Sequence, residues 1–368
     1  MGRPVWGKVG ATLRSPPAQP FPLDAERAIT SAMFVGTRRA WLLGMAALAL
    51  TGCKESGGGG GQGDGGDGKR RIAVIPKGTT HEFWKAVHAG AAKAGKELGV
   101  EIVWKGPLKE DDLKQQIDLV QSFTAQRVSG IVLAPLNDKA LAKAVKDATR
   151  SKIPVVVIDS DLAGDEHKSF VATDNEAAGK LAGERMVELL GKGGKVVLMR
   201  YQEGSASTTN REEGFLAAAK AGGLEIVSDN QYGGATTESA FAAAESVLIA
   251  NKAADDGVQG VFAPNESTTF GTLLALQKAG LAGKIKLVGF DASDKMIKGL
   301  KEGEIHALIL QDPFNMGYLG VKTMIEHLDG KNVEATMDTG SMVVDAKNMD
   351  KPEIQQLLKP DLKKWLGE

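Results

Sequence analysis

From Arg71 onward the chain repeats one rhythm, in which short apolar runs alternate with amphipathic segments at helical spacing. The runs are Ile72–Ile75, Glu101–Trp104, Gly130–Ala134, Val155–Ile158, Phe170–Ala172, Val196–Met199, Glu225–Val227, Gly260–Ala263, Lys286–Gly289 and Ala307–Leu310. Between them lie helical patterns such as Phe83–Leu98, Asp111–Gln126, Lys139–Arg150, Glu176–Leu190, Arg211–Ala221, Glu238–Ala250 and Thr268–Ala279. Short β-branched runs bounded by turn residues read as strands covered on both faces. Strands that alternate with helices build parallel sheets with right-handed crossovers, so the expected class is α/β, doubly wound. The rhythm breaks near Asp174, which divides it into two similar lobes instead of one very wide sheet. A closed eight-fold barrel is excluded because the units are too many, and because Phe170–Ala172 follows Ile158 with no helix between. That missing helix is a candidate hinge crossing.

A chain of 368 residues accommodates two domains with large cores. With 45 Lys+Arg against 46 Asp+Glu there is no basic footprint for nucleic acid. One cysteine, Cys53, excludes both a disulfide framework and a cysteine-ligated zinc site.

The segment before the repeat carries different signals. Residues 1–32 are aperiodic, and Met33 is the expected true start. From there Arg38-Arg39 precede the apolar stretch Trp41–Leu50, too short to span a bilayer comfortably. It ends in Leu50-Thr51-Gly52-Cys53, which resembles the bacterial lipobox, where the cysteine becomes the lipidated first residue of the mature protein. The expected division is a leader and signal peptide over 1–52 and a lipidated, Gly-rich tether over 53–69. The Arg pair also resembles a twin-arginine signal, which leaves the export route open. The tether has a root-mean-square reach of roughly 20 Å, which describes a body held at a membrane surface and working in water.

Polar residues recur where the strands run out, the edge at which open α/β sheets bind ligands. Lys77 follows the first strand, Asp159 the fourth, Asn265 the eighth, Asp291 the ninth and Gln311 the tenth, while Arg211 lies in a loop-to-helix stretch after Met199. Phe83 and Trp84 stand on the first turn of the helix that follows the first strand. Carboxylates accept a hydrogen bond from a hydroxyl, Arg, Lys and Asn donate to its lone pairs, and an aromatic plane stacks on the less polar face of a sugar ring. Gathered in one crevice, this set suits a polyhydroxylated ligand. Taken singly, Asp159, Asn265 and Asp291 read equally well as helix caps, and the two rings as core.

Catalytic readings find less support. His81-Glu82 lacks the second histidine of a zinc-protease helix, and the five histidines have no ligand spacing. No Gly-x-Ser-x-Gly elbow is present. Gly191-Lys192-Gly193-Gly194 precedes a strand instead of following one, so it is no dinucleotide fingerprint. Neither a catalytic residue nor a cofactor or metal is expected.

At these residues the chain resembles the periplasmic sugar-binding proteins of the ribose/arabinose/galactose type, which serve ABC importers. The resemblance runs from Arg71 to about Val344 and is carried by several motifs. These are Phe83-Trp84, VVVID ending at Asp159, VATDN at Val171–Asn175, NREEGF at Asn210–Phe215, VFAPNE at Val261–Glu266, LVGFD ending at Asp291 and LILQDPFNMG at Leu308–Gly317. It implies that Phe83 and Trp84 sandwich or edge the sugar, and that Asp159, Arg211, Asn265, Asp291 and Gln311 bind hydroxyls. Lys77 matches a lysine of arabinose-type members. His81 and Ser160 stand where ribose-type members usually have Asn and Arg, and losing that bidentate Arg changes the hydroxyl pattern accepted. Ribose is therefore not assigned as the ligand.

The resemblance also implies two lobes joined by a three-segment hinge, with crossings near Thr173, Gln311–Asp312 and Gly340–Met342. The N-terminal lobe would comprise 70–173 plus 312–340, and the C-terminal lobe 174–311 plus 341–368, ending in a short helix on the second lobe. The protein would be a monomer that closes on a sugar and docks on permease subunits, tied to the membrane through Cys53. Competing readings are a sugar-responsive repressor, which needs a DNA-binding helix-turn-helix, a secreted α/β enzyme, and a ligand-sensing subunit of a membrane receptor. A non-sugar polyol or cyclitol is the alternative cargo.

Overall fold

The computed structural model describes residues 69–367. Residues 1–68, which hold the expected leader, Cys53 and nearly all of the expected tether, lie outside the described residues. Two six-stranded sheets organise the rest.

The first sheet is built from β1 (Arg71–Ile75), β2 (Glu101–Trp104), β3 (Gly130–Leu133), β4 (Val155–Ile158), β5 (Phe170–Ala172) and β11 (Thr336–Asp338), in the order β11-β5-β4-β3-β1-β2. The second holds β6 (Lys195–Arg200), β7 (Glu225–Tyr232), β8 (Gly260–Phe262), β9 (Lys286–Phe290), β10 (Ala307–Gln311) and β12 (Ser341–Val344), in the order β12-β10-β9-β8-β6-β7. The two orders superimpose, so β1 corresponds to β6, β3 to β8, β4 to β9 and β5 to β10. Every pairing between these strands is parallel except β10 with β12. The central strands β3 and β4 are buried at every position, as their unbroken apolar runs require.

Helices cover both faces. In the first lobe they are α1 (Glu82–Leu98), α2 (Leu113–Ala125), α3 (Ala142–Arg150) and, returning from the other lobe, α9 (Pro313–Leu328). The second carries α4 (Asn175–Leu190), α5 (Ala206–Ala221), α6 (Thr237–Ala250), α7 (Glu266–Lys278) and α8 (Asp294–Lys301). Each sheet therefore lies between two apolar layers: Ile72, Val74 and Val132 face one side of the first sheet, and Ala73, Ile131 and Leu133 the other.

The chain passes between lobes at 173–174, at 312 and at 339–340, as the strand memberships on either side require. The helix-free connection from β4 to β5, expected as a crossing, is not one. It stays inside the first lobe, because β5 pairs with β4 in parallel register through Ile158 and Val171. The C-terminal tail also departs from expectation, forming two helices instead of one. Ile354 and Leu358 on α10 (Pro352–Leu358) enter the second lobe's core, whereas α11 (Leu362–Leu366) lies against α1 of the first lobe. There the Trp365 ring sits 5.8 Å from the Lys96 ammonium. Pro360, which cannot continue α10, begins the passage across. Among the described residues no helix is long and apolar enough to cross a membrane.

Candidate functional site

The carboxyl ends of the two sheets face each other across a cleft. Nine of the ten ligand-binding candidates line one small cavity there: Lys77, His81, Phe83, Trp84, Asp159, Arg211, Asn265, Asp291 and Gln311. Ser160 stands behind it, its hydroxyl accepting the Ser207 backbone N–H at 3.0 Å. Cys53 is outside the described residues.

Asp159 and Asp291 occupy corresponding places, one residue past β4 and one past β9. Both adopt left-handed backbone, φ 63° and 67°, a conformation that costs a non-glycine residue and recurs at functional sites. Neither is the N-cap residue of a helix. Lys77 brings its ammonium to 2.8 Å from Asp159 Oδ2 in an ion pair. That ammonium also donates to the hydroxyls of Ser205 (3.3 Å) and Ser207 (3.0 Å) on the second lobe.

On the other side a continuous chain of bonds fixes the polar groups. Arg211 is buried near the start of α5, with Gly179 on α4 allowing that helix to approach its backbone; a Cβ there would lie 2.0 Å from the Arg211 carbonyl oxygen. Its guanidinium donates to Asn175 Oδ1 (2.7 Å), the Pro264 carbonyl (2.9 Å) and Gln311 Oε1 (2.9 Å), and lies 3.9 Å from the centre of the Phe290 ring. Gln311 passes the chain on, donating to Asp291 Oδ1 at 2.7 Å. Asp291 Oδ2 accepts the Glu266 N–H. Burial pushes the Asp291 carboxyl above its ordinary range, against the attraction of Arg211. Asn265 caps α7 through the Thr268 N–H and also lines the cavity.

Phe83 and Trp84 meet edge to face, ring centres 4.8 Å apart at 89°. Two rings in that relation form a corner and cannot sandwich a ligand between them. Both belong to the first lobe's core and both line the cavity.

Glu110, Tyr201, Ser207, Thr208 and Glu266 also line the cavity and were not singled out in the sequence. Glu110 sits within an ordinary-looking charged stretch, Lys109-Glu110-Asp111-Asp112, yet is buried. It accepts from His81 Nδ1 at 2.9 Å, from Trp84 Nε1 and from the Tyr201 hydroxyl. Burial alone would lower the His81 pKa, but attraction to Glu110 and the hydrogen bond with it prevail and hold it at about 9. The same pairing overcomes burial at Glu110 and brings its pKa down to about 2. Glu266, present in the VFAPNE motif but given no role, reaches from the second lobe to the N-terminus of α1. It accepts the Glu82 and Phe83 N–H groups at 3.3 and 3.2 Å. Burial raises its carboxyl to about 7, against the pull of His81.

Several of these bonds run directly from lobe to lobe, and the backbones themselves meet where the Asp138 N–H donates to the Gly204 carbonyl at 2.9 Å. Gly204 has φ 81°, and a Cβ there would strike the Asn137 amide at 1.9 Å, so the approach needs glycine. With the lobes this close, the cavity has about 20 Å³ of free space, room for about one water. Among the described residues no group of three or more His, Cys, Asp or Glu is placed to hold a metal ion.

Two α/β lobes on a three-strand hinge, their strand ends lining a polar cleft with aromatic walls, define a bilobal small-molecule binder. The chain belongs to the periplasmic binding protein domain family, whose model matches residues 72–332. Among its relatives is a ribose import binding protein of Haemophilus influenzae, 30% identical over 279 residues, which cover 74% of this chain and 90% of that one. A carbohydrate transporter solute-binding protein of Agrobacterium radiobacter, solved with D-arabinose, is 35% identical with a TM-score of 0.75, covering 80% of this chain and all (100%) of the other. An ABC transporter solute-binding protein of Agrobacterium vitis with bound D-fucose is 38% identical with a TM-score of 0.74, covering 78% and 100%.

Proposed function

We propose that the protein is an extracytoplasmic solute-binding protein that captures a small sugar between its lobes and delivers it to an ABC-type carbohydrate importer. The observation that carries this reading is the convergence of Lys77 and Asp159 from one lobe with Arg211, Asn265, Asp291 and Gln311 from the other, beside the Phe83–Trp84 corner. Relatives that import ribose, or that hold D-arabinose or D-fucose, support the same class of cargo.

Asp159 and Asp291 accept hydrogen bonds from ligand hydroxyls, while Lys77, Arg211 and Asn265 donate to their lone pairs, with Gln311 doing either. Phe83 offers the apolar face of the corner to the ring, His81 and Ser160 shape the first lobe's side, and Trp84 is steadied by Glu110. A cavity of about 20 Å³ admits no sugar ring, so the lobes part about the three crossings and close again once the ring is seated. Bonds between lobes are exchanged for bonds through the ligand, and only a ligand that completes contacts on both sides favours closure. The closed form, a monomer, docks on permease subunits. Cys53 carries a lipid that holds the tether to the membrane, and the division into signal peptide, tether and two discontinuous lobes follows. The protein is a carrier and catalyses no reaction.

A thermal-shift screen of the full chain against pentoses, hexoses, cyclitols and nucleosides tests this. A ligand at a hundred times its dissociation constant adds about 2.7 kcal/mol of stability. One stereospecific sugar hit is expected, and silence across the panel would overturn the sugar reading.

A further inference from the structure

Next to the sugar cavity lies a much larger one, of about 340 Å³, within the range typical of ligand pockets. Phe83, Asp291 and Gln311 line both, so the two are neighbouring rooms of one cleft. Its roof is the C-terminal tail from Leu357 to Leu362, the segment that passes from the second lobe's core to α1. Ala86 on α1, Leu310 on β10 and Leu358 on the tail give it apolar walls. Ser293 and Asp294 at the start of α8 line it too, and the Ser293 side chain makes no capping bond to the helix. An apolar wall combined with hydroxyl and carboxylate acceptors is the same chemistry that suits a sugar ring in the first room.

We propose that this cavity is a second subsite, which takes the second residue of a disaccharide whose first residue occupies the pocket of Asp159 and Asp291. The inference rests on the sugar-binding reading and narrows its cargo from free monosaccharides to small glycosides. The tail serves as a wall of the subsite, which explains why it leaves the second lobe at Lys359-Pro360 and does not end on α10.

Calorimetry on the full chain compares the monosaccharide found in the thermal screen with its α- and β-linked disaccharides. One disaccharide is expected to bind at least as tightly as the monosaccharide. Leu362→Trp, which fills the room from the tail, and Ala86→Leu, which fills it from α1, are each expected to weaken that disaccharide more than tenfold. Both leave monosaccharide affinity within threefold of wild type. If every disaccharide binds more than a hundredfold weaker than the monosaccharide, or if the filled variants lose both ligands equally, the subsite is wrong and the sugar pocket stands. If no sugar of either size binds, the sugar reading falls and takes the subsite with it.

Discussion

The Glu110 carboxylate receives donors from both lobes: His81 and Trp84 on the first, Tyr201 on the second. Removing it strands three buried polar groups at once, and breaking a buried ion pair costs about 3–5 kcal/mol. Glu110→Ala is therefore expected to lower stability by about that amount in urea denaturation, with Glu110→Gln losing less because its one oxygen still accepts from Trp84 while its amide NH2 donates to the Tyr201 hydroxyl oxygen. The His81–Glu110 pair also sets a pH window. His81 is raised from 6.5 to about 9 in the folded protein, so its contribution is complete below 6.5 and is lost as pH rises through about 9. Glu110 is lowered from 4.5 to about 2, so its contribution is present above 4.5 and is lost as pH falls through about 2. Urea midpoints should thus decline between pH 6.5 and 9, and the decline should shrink in His81→Phe. A wild-type midpoint that does not move over that interval would contradict the pairing.

At the scale of elements, each lobe holds a helix pair brought unusually close by glycine. Gly90 on α1 lies under α9, where a Cβ would come 1.8 Å from the Phe314 carbonyl, and Gly317 on α9 repays the contact at Val87. Gly179 on α4 and Gly214 on α5 repeat the arrangement in the second lobe. A methyl at either site overpacks the pair at a cost of about 1–3 kcal/mol, offset by roughly 1 kcal/mol of better helix propensity. The two differ in what they disturb. Gly90→Ala is expected to lower stability and spare ligand affinity. Gly179→Ala pushes on the backbone of Arg211, and should also weaken sugar binding more than tenfold by calorimetry. Much of this scale was legible in the sequence, because buried parallel strands write themselves as unbroken apolar runs. The edge strands β11 and β12 were missed, since Thr336–Asp338 is a partly exposed triplet with no apolar run. Glu110 was hidden for a related reason: its run of four charged residues looks solvated, and only the fold buries it. The strand-end residues were readable because a residue just past a parallel strand has its position set by topology. The α11 segment offered no such guide, for its partner α1 lies some 260 residues away in sequence, too far for any local pattern to reveal.

For the whole molecule the question is what favours closing, and Glu266 supplies one lever. It belongs to the second lobe, yet it holds the N-terminal amides of α1 in the first. In the closed form burial raises its carboxyl to about 7, and when the lobes part the group returns to water and toward its ordinary value of 4.5. The closed form therefore binds the proton more tightly than the open one, and lowering the pH favours closure. His81 faces Glu266 but keeps Glu110 as its partner within its own lobe, so its charge varies less between the two forms. Ligand affinity measured by calorimetry should rise as pH falls from about 8.5 to about 5.5, and the radius of gyration from solution scattering at subsaturating sugar should shrink in step. In Glu266→Gln, which carries no charge at either pH, both trends should flatten while the fold persists. Affinity that is level across this interval in the wild type would mean that Glu266 is equally buried in both forms, and that the lobes do not separate at the N-terminus of α1.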